Sequence, residues 1–360
     1  MTGLGRIALV SLDPWDQVWR RNQHLATSLL QQGLVQELLY VEPPGRGLGR
    51  VVLTPSGHGP ELLNGPRALP RSLGGDIVLA HLLQPGIASA DVLWVNDPVL
   101  GVHCLRQGQP VVYDVTDDWR DSQMPARARR RLVAAEDRLA GRAMTVVCSE
   151  VLRQRWEQRY GVRATLVHNG FDASAWQGQP EVLDGPGPHV GYIGSLQAER
   201  LDVPLVLALA DEPGLGTVHL VGPDYLDPGS RQRLAEHPKV RRWGAIGHER
   251  VAGVTKAMDL LLCPHLVNDF TLSLDAIKAY EYLASGRPAV ATPTSGFQRL
   301  PAGNVHVVTR DEFRAAVREL LAAPRSPDRP VVTGTWDERA HEFAAALSTA
   351  RRSATTVARP

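Results

Sequence analysis

Short apolar runs, each closed by a polar residue and followed by a helical pattern, recur along this chain and restart after a break at residues 177–188. The first half carries RIALVSL, ELLYVEPP, DIVLAHL, ADVLWVND, PVVYDVTDD, MTVVCSE and ATLVHNGFD. The second carries HVGYIGSL, TVHLVGP, VRRWGAI, DLLLCPH and RPAVAT. Continuous apolar runs of four to six residues suit parallel strands covered on both faces. Their alternation with helical patterns, such as residues 126–140, 203–211, 230–236 and 249–257, implies right-handed βαβ units in open parallel sheets.

The break, QGQPEVLDGPGP, is rich in Gly and Pro and lacks periodicity, as a linker does. A chain of 360 residues is too long for most single cores, and 43% hydrophobic residues can fill two. The pattern therefore predicts an α/β protein of two Rossmann-like parallel-sheet domains facing a central cleft. The expected bounds are 1–176 for the first domain, 177–188 for the linker and 189–334 for the second domain. A last helix within 335–360, TWDERAHEFAAALSTARR, is expected to cross back to the first domain.

A net charge of +1 leaves no global footprint for nucleic acid. No apolar window of about 18 residues and no leader-like start are present, so the expectation is a soluble cytoplasmic protein. Cys104, Cys148 and Cys263 are scattered and form no CxxC, which suggests neither a disulfide framework nor a zinc site. Only three lysines occur, Lys239, Lys256 and Lys278, in a chain that otherwise uses Arg for its basic residues. A lysine in a helix beside a strand is thus worth weighing.

In open α/β sheets ligands sit at the carboxyl ends of strands. After HVGYI comes a glycine turn, Gly194-Ser195, with Arg200 six residues beyond the glycine, a pattern that suits a phosphate but equally a tight turn with a surface arginine. After DLLLCP comes the polar loop HLVNDFTLS, with Ser273 placed as the N-cap of the next helix and Asp275 in its first turn. Lys278 and Glu281 follow three residues apart on one helix face. They can form an i,i+3 salt bridge worth about 0.2–0.5 kcal/mol. Alternatively, Lys278 meets a diphosphate and Glu281 accepts sugar hydroxyls. No GxGxxG or Walker A loop is present.

The first half offers two polar strand ends. SLDPWDQVW places Asp13, Trp15, Asp16 and Trp19 where aromatic faces and carboxylates suit a hydroxylated acceptor, although Trp15 and Trp19 could also staple a helix start. YDVTDDW places Asp114, Asp117 and Asp118 after a buried strand. Asp117 first, and Asp118 second, are the candidates for a general base, with helix capping as the plain structural role.

KAYEYLASGRPAVAT resembles the donor-site signature of GT-B glycosyltransferases of the family-4-like branch, glycosyltransferase group 1. HNGFD, GYIGSL, HLVGP and TWDERAHEF are similar to further family segments in the same order. WVNDP, VVYDVTDDW and the E-x-x-L at Glu136 to Leu139 are most similar to the group that includes teichuronic-acid biosynthesis glycosyltransferases. The resemblance implies that Glu281 is the second acid of the family's E-x7-E motif and holds the nucleotide ribose. The first acid falls at Ser273, where this chain departs from the pattern and leaves the backbone of Ser273 and Leu274 to meet sugar or phosphate. The family's usual pair of cations after the glycine turn becomes Ser195 and Arg200, with Lys278 supplying the second charge. Trp243, Gly244 and Ile246 stand where the family's backbone reads the base, and His265 and Asp269 where the donor sugar lies.

The activity so implied is transfer of a sugar from a nucleotide-diphosphate sugar to a hydroxylated acceptor in cell-envelope or natural-product glycosylation. The donor is a co-substrate rather than a cofactor, and the missing DxD motif predicts no essential metal. The acceptor would be a small molecule or a lipid-linked glycan, the latter implying peripheral membrane contact. A nucleotide-sugar 2-epimerase of the same fold and a non-catalytic nucleotide-sugar-binding subunit remain open alternatives, while a nicotinamide dehydrogenase is disfavoured by the absent fingerprint.

Overall fold

The computed structural model describes residues 3–45, 51–55, 59–66, 69–301, 303–324, 330–331 and 333–357. Contacts divide the chain into two compact units, Met1–His168 with Trp336–Pro360, and Asn169–Thr335.

In the first unit the elements run β1 (Leu4–Val10), α1 (Arg21–Gln31), β2 (Val35–Val41), β3 (Val52–Pro55), β4 (Glu61–Asn64), α2 (Gly75–Ile87), β5 (Val92–Val95), α3 (Pro98–Cys104), β6 (Val111–Val115), α4 (Ala126–Ala140), β7 (Met144–Val147), α5 (Glu150–Tyr160) and β8 (Thr165–Leu166). The sheet order is β3-β4-β2-β1-β5-β6-β7-β8. Every neighbouring pair is parallel except β3 with β4. All four residues of β5 are buried, as a strand covered on both faces requires. Local chemistry sets the helix starts: Asp97 accepts from the N–H groups of Val99 and Leu100 ahead of Pro98, and Ser149 accepts from Leu152.

Two sequence expectations change here. DIVLAHL is not a strand but the first half of α2, because Asp76, Leu79, Ala80, Leu83 and Ile87 are buried at helical spacing. Its apolar outer face disguised that period as a continuous run. The helix start that Trp15 and Trp19 could staple falls later, at Arg21, and residues 12–20 form an irregular loop.

The second unit runs β9 (His189–Ile193), β10 (Leu196–Gln197), α6 (Val203–Ala210), β11 (Thr217–Val221), β12 (Asp224–Tyr225), α7 (Pro228–Glu236), β13 (Val240–Gly244), α8 (His248–Ala257), β14 (Leu260–Cys263), α9 (Asp269–Leu272), α10 (Ile277–Ser285), β15 (Ala289–Ala291), α11 (Ser295–Gln298), β16 (Val305–Val307) and α12 (Phe313–Ala322). Its six-stranded sheet is parallel throughout, in the order β13-β11-β9-β14-β15-β16, with β10 and β12 as a separate short pair. The order reverses direction around β9, and this is the switch point at which an open sheet binds ligands.

The last helix, α13 (Trp336–Val357), belongs to the first unit, where it packs on α1 and on β5, β6 and β7. Phe343 and Leu347 are fully buried there, and the Phe343 ring lies 4.4 Å from that of Trp94 on β5.

The unit boundary falls at His168 rather than 176. Asn169 donates its backbone N–H to Asp275 Oδ2 at 2.6 Å, and Phe171 bridges to Thr335. Residues expected to be linker are also held to the second unit. Lys256 donates to the carbonyls of Trp176 and Gly178, and Arg250 pairs with Glu181 at 2.7 Å. Polar side chains on α8 thus anchor a segment that composition alone marks as loose.

Candidate functional site

Three adjacent strands of the second unit end in glycine. Gly194 follows β9, Gly222 follows β11 and Gly244 closes β13. Gly194 has φ +152° and Gly222 φ +139°, a region that side chains beyond glycine rarely enter. Space demands glycine as well: a Cβ on Gly222 would stand 2.2 Å from the Gly194 carbonyl oxygen, and one on Gly194 would stand 2.8 Å from Lys278 Cε and 2.9 Å from Nζ. The Lys278 ammonium is therefore seated directly on the glycine turn at the carboxyl end of β9.

Lys278 reaches this position from the start of α10, two residues after its N-cap Ala276. A cation there opposes the helix dipole, which favours anions at that end. Nor does it form the i,i+3 salt bridge with Glu281, since no carboxylate lies within 4.0 Å of its ammonium among the described residues. Its ammonium lies 5.3 Å from the centroid of the Tyr192 ring. Burial works to lower the Lys278 pKa, and Tyr192, Cys263 and Glu281 act in the opposite direction, with a net rise above its ordinary value. A part-buried ammonium without a carboxylate partner is costly unless something else supplies negative charge.

Tyr192 is a site residue that the sequence did not single out. Its hydroxyl donates to the Ser195 carbonyl at 3.2 Å and lies 3.1 Å from His265 Nε2. Nothing in a strand residue of HVGYI signals this; only the fold shows that its ring underlies Lys278. Gly222, at the end of HLVG, joins the site for the same reason.

Arg200 stacks its guanidinium 4.9 Å from the Phe270 ring, and its backbone carbonyl accepts from Leu266 N–H at 2.7 Å. It acts electrostatically on both Lys278 and His265, so the two cations share one locality. Glu281 is part-buried one helical turn beyond Lys278. Burial pushes its carboxyl up to about 7, against the lowering pull of Lys278.

Beyond β13, Trp243 donates its indole N–H to His219 Nδ1 at 3.1 Å, and His219 Nε2 lies 3.0 Å from His189 Nδ1. Burial, with His189 and Arg241 close by, lowers His219 to about 4, so it is a neutral ring that fixes the Trp243 orientation. Gly244 accepts from Gly222 N–H at 2.8 Å, and Ile246 packs part-buried against the core.

Several expected positions fall differently. Ser273 is not the N-cap of the lysine-bearing helix: it terminates the short α9, is fully buried and donates its hydroxyl to Phe270 O at 2.7 Å. Asp275 does not sit in the first turn either. It precedes α10 and accepts from Asn169, Tyr280 and Arg299, which binds the segment down. The break between α9 and α10 buries Ser273 and Leu274 side chains alike. His265 is 2% exposed and lowered well below its ordinary value by burial, with Lys278 and Arg200 adding to it. Its Nε2 meets the Tyr192 hydroxyl, while its buried Nδ1 has no hydrogen-bond partner among the described residues. Asp269 is exposed in the first turn of α9.

In the first unit, Trp15 and Trp19 lie in the irregular loop with ring centroids 5.6 Å apart, and Trp15 also meets Tyr40 edge-on at 5.0 Å. Trp19 meets His24, which stacks on Trp336 of α13 at 5.0 Å. The loop is fixed by Glu42, which accepts from Trp15 N–H at 2.7 Å, and by Asp13, paired with Arg20 at 3.4 Å. Asp16 is exposed and accepts from Val18 N–H.

The three acids after β6 have distinct fates. Asp114 is buried in a bidentate pair with Arg21, whose Nε approaches Oδ2 at 2.9 Å. Asp118 is 2% exposed and pairs with Arg155 and Arg159 at 3.2 Å each, which makes it an anchor for α5 rather than a candidate base. Asp117 is part-exposed, and its Oδ2 accepts from the Thr116 hydroxyl at 3.4 Å. Among the described residues no three His, Cys, Asp or Glu side chains are grouped so as to hold a metal ion, and no helix is long and apolar enough to cross a membrane.

Two parallel-sheet units, with a cation seated on a glycine turn at the second sheet's switch point, define the GT-B architecture. The same fold is found in sucrose-phosphate synthase from Thermosynechococcus elongatus, at TM-score 0.69 and 18% identity over 98% of each chain. It is also found in Anabaena HepE in complex with UDP and glucose, at TM-score 0.67 and 16% identity over 98% of this chain and 95% of that one. Residues 187–323 match the family model described as glycosyl transferases group 1. Bacillus subtilis (strain 168) TuaH, named for teichuronic acid biosynthesis glycosyltransfer, is 25% identical over 324 residues, 79% of this chain and 80% of that protein. The chain thus has the GT-B fold, and its second unit carries the stretch that matches the glycosyl transferases group 1 model.

Proposed function

We propose that the second unit binds a UDP-sugar through Lys278, Arg200 and Glu281, and that the enzyme transfers the sugar to a hydroxyl of a cell-envelope glycan. The observation that carries the reading is the Lys278 ammonium, held on Gly194 without a carboxylate partner among the described residues. A diphosphate bound over the glycine turn supplies the missing negative charge. Arg200 adds a second cation, and both stabilise the negative charge that grows on the leaving nucleoside diphosphate. Two fixed cations offset that charge without a divalent ion, which supports metal-independent transfer. Glu281, one turn on, accepts the ribose hydroxyls as a carboxylate, and Trp243, Gly244 and Ile246 line the position for the base.

Acceptor contacts are assigned to the first unit. The tilted pair Trp15 and Trp19 offers apolar ring faces to a sugar, flanked by Asp13 and Asp16. Asp117, part-exposed just beyond the carboxyl end of β6, is the acid that would receive the acceptor proton if the reaction inverts the anomeric centre. UDP is the preferred nucleotide because HepE, of the same fold, is described in complex with UDP and glucose, and a cell-envelope acceptor is preferred because TuaH is named for teichuronic acid biosynthesis.

The experiment is a thermal-shift panel of UDP, GDP and dTDP with and without EDTA. A ligand present at about 100 times its dissociation constant stabilises by roughly 2.7 kcal/mol. A shift with UDP that survives EDTA supports the reading. No shift with any nucleotide contradicts it.

A further inference from the structure

Strand β13 ends in an irregularity that its neighbour β11 does not share. Val218 pairs with Val240, His219 with Arg241 and Leu220 with Arg242, but Val221 then meets Gly244, which leaves Trp243 as an extra residue. This is a β-bulge on the outermost strand of the sheet, rare between parallel strands and suited to re-aiming the chain beside a site. It brings Gly244, at φ +73°, level with the end of β11, where its carbonyl accepts from Gly222 N–H at 2.8 Å. Gly222 packs on the Gly194 carbonyl, and Gly194 carries the Lys278 ammonium. The bulge and the cation are therefore joined through three adjacent strand ends.

A row of rings pins the bulge. His189 pairs with Thr217, two residues before His219, and His219 pairs with Arg241, two residues before Trp243, so the three rings stand on one face across three strands. An indole N–H only donates, so His219 Nδ1 accepts the 3.1 Å bond from Trp243. The neutral His219 ring then carries its proton on Nε2 and donates it to His189 Nδ1 at 3.0 Å. His189 is itself fastened: its N–H donates to the Asp259 carboxylate and its carbonyl accepts from Asp259 N–H, both at 2.8 Å. His219 is 1% exposed, so close packing fixes the middle of the row.

The bulge presents unpaired backbone beyond it. Ala245 is exposed and Ile246 half-buried, and among the described residues the N–H and C=O groups of neither take part in a backbone hydrogen bond. Such groups side by side match the imide edge of a uracil, an N–H flanked by carbonyls. Reading that edge requires backbone held to within about 0.5 Å by supporting hydrogen bonds.

We propose that His219 is the positioning residue for the base of the bound nucleotide: through Trp243 it sets the bulge that aims the backbone of Ala245 and Ile246 at the base. His219 touches no ligand itself. The inference deepens the donor reading and rests on it.

The test is titration calorimetry of UDP and inorganic pyrophosphate against the parent chain, His219→Leu, His219→Asn and Trp243→Phe, with melting temperatures in parallel. His219→Leu removes both ring nitrogens at similar volume and is expected to weaken UDP by about tenfold while pyrophosphate binds as before. Trp243→Phe removes the same hydrogen bond from its other end and is expected to match it. His219→Asn keeps an oxygen near the place of Nδ1, still accepts from Trp243 and is expected to bind UDP within about threefold of the parent. A merely structural role would lower the melting temperature and weaken both ligands together. The inference is overturned if His219→Leu or Trp243→Phe binds UDP like the parent, if pyrophosphate is lost by the same factor, or if His219→Asn binds UDP no better than His219→Leu. A parent that binds pyrophosphate as tightly as UDP overturns this inference and leaves the diphosphate site standing. A parent that binds neither overturns the donor reading and this inference with it.

Discussion

Replacing Gly194 with alanine tests whether Lys278 acts from the place the fold gives it. The new Cβ would lie 2.8 Å from Lys278 Cε, 2.9 Å from Nζ and 3.2 Å from the Tyr192 hydroxyl, so the ammonium must move off the turn. At φ +152° the backbone also resists any side chain, at a cost of about 1–3 kcal/mol in stability. Losing one charge-assisted hydrogen bond to a phosphate costs about 1.5–3 kcal/mol, or roughly 10- to 150-fold in affinity. Lys278→Ala removes the same contact. If both act through the ammonium, the double variant binds no more weakly than Lys278→Ala alone, and the cycle shows a coupling of about 1.5–3 kcal/mol. UDP titration calorimetry on the four proteins, with melting temperatures in parallel, reads both effects. Additive losses, or full UDP affinity in Gly194→Ala, would refute the reasoning.

Other expectations follow from the same geometry. Asp118→Asn should destabilise the first unit by about 2–4 kcal/mol in denaturant unfolding, because two arginines lose their buried partner, whereas Asp117→Asn should lower kcat with little change in KM for the donor. Glu281, raised to about 7, binds ribose hydroxyls best as a carboxylate, so UDP affinity should rise between about pH 5 and 7 with release of a proton. Calorimetry in two buffers of different ionisation enthalpy counts that proton, and Glu281→Gln should abolish it. His219, lowered to about 4, gives stability that is complete above about pH 6.5 and lost as pH falls toward 4, on the order of 3 kcal/mol. His219→Gln should flatten that part of the melting profile, and an unchanged profile would assign the acid sensitivity elsewhere.

The two sheets were readable from the sequence because buried parallel strands announce themselves as uninterrupted apolar runs. That same signal misled at Asp76–Leu82, where an apolar outer face made a helix look like a strand. The lysine was legible through its rarity and its spacing to Glu281. Its setting was not, because Tyr192 and Gly222 meet it only across strands that are distant in sequence. Ser273 illustrates the opposite limit: a capping residue in the right composition was placed at the wrong helix, since the chain breaks between α9 and α10 where no Gly or Pro marks it. The domain boundary was missed by several residues because Asn169 and Lys256 fasten a segment whose composition reads as loose.

On the proposed reading, Lys278 and Glu281 hold the two ends of a nucleotide's ribose-diphosphate. Titration of UDP against the parent chain, Lys278→Ala and Glu281→Ala tests it most directly, with uridine as the comparison ligand. Lys278→Ala is expected to weaken UDP by about tenfold or more and to leave uridine unchanged, while Glu281→Ala is expected to weaken both. Equal affinity of all three proteins for UDP would contradict it.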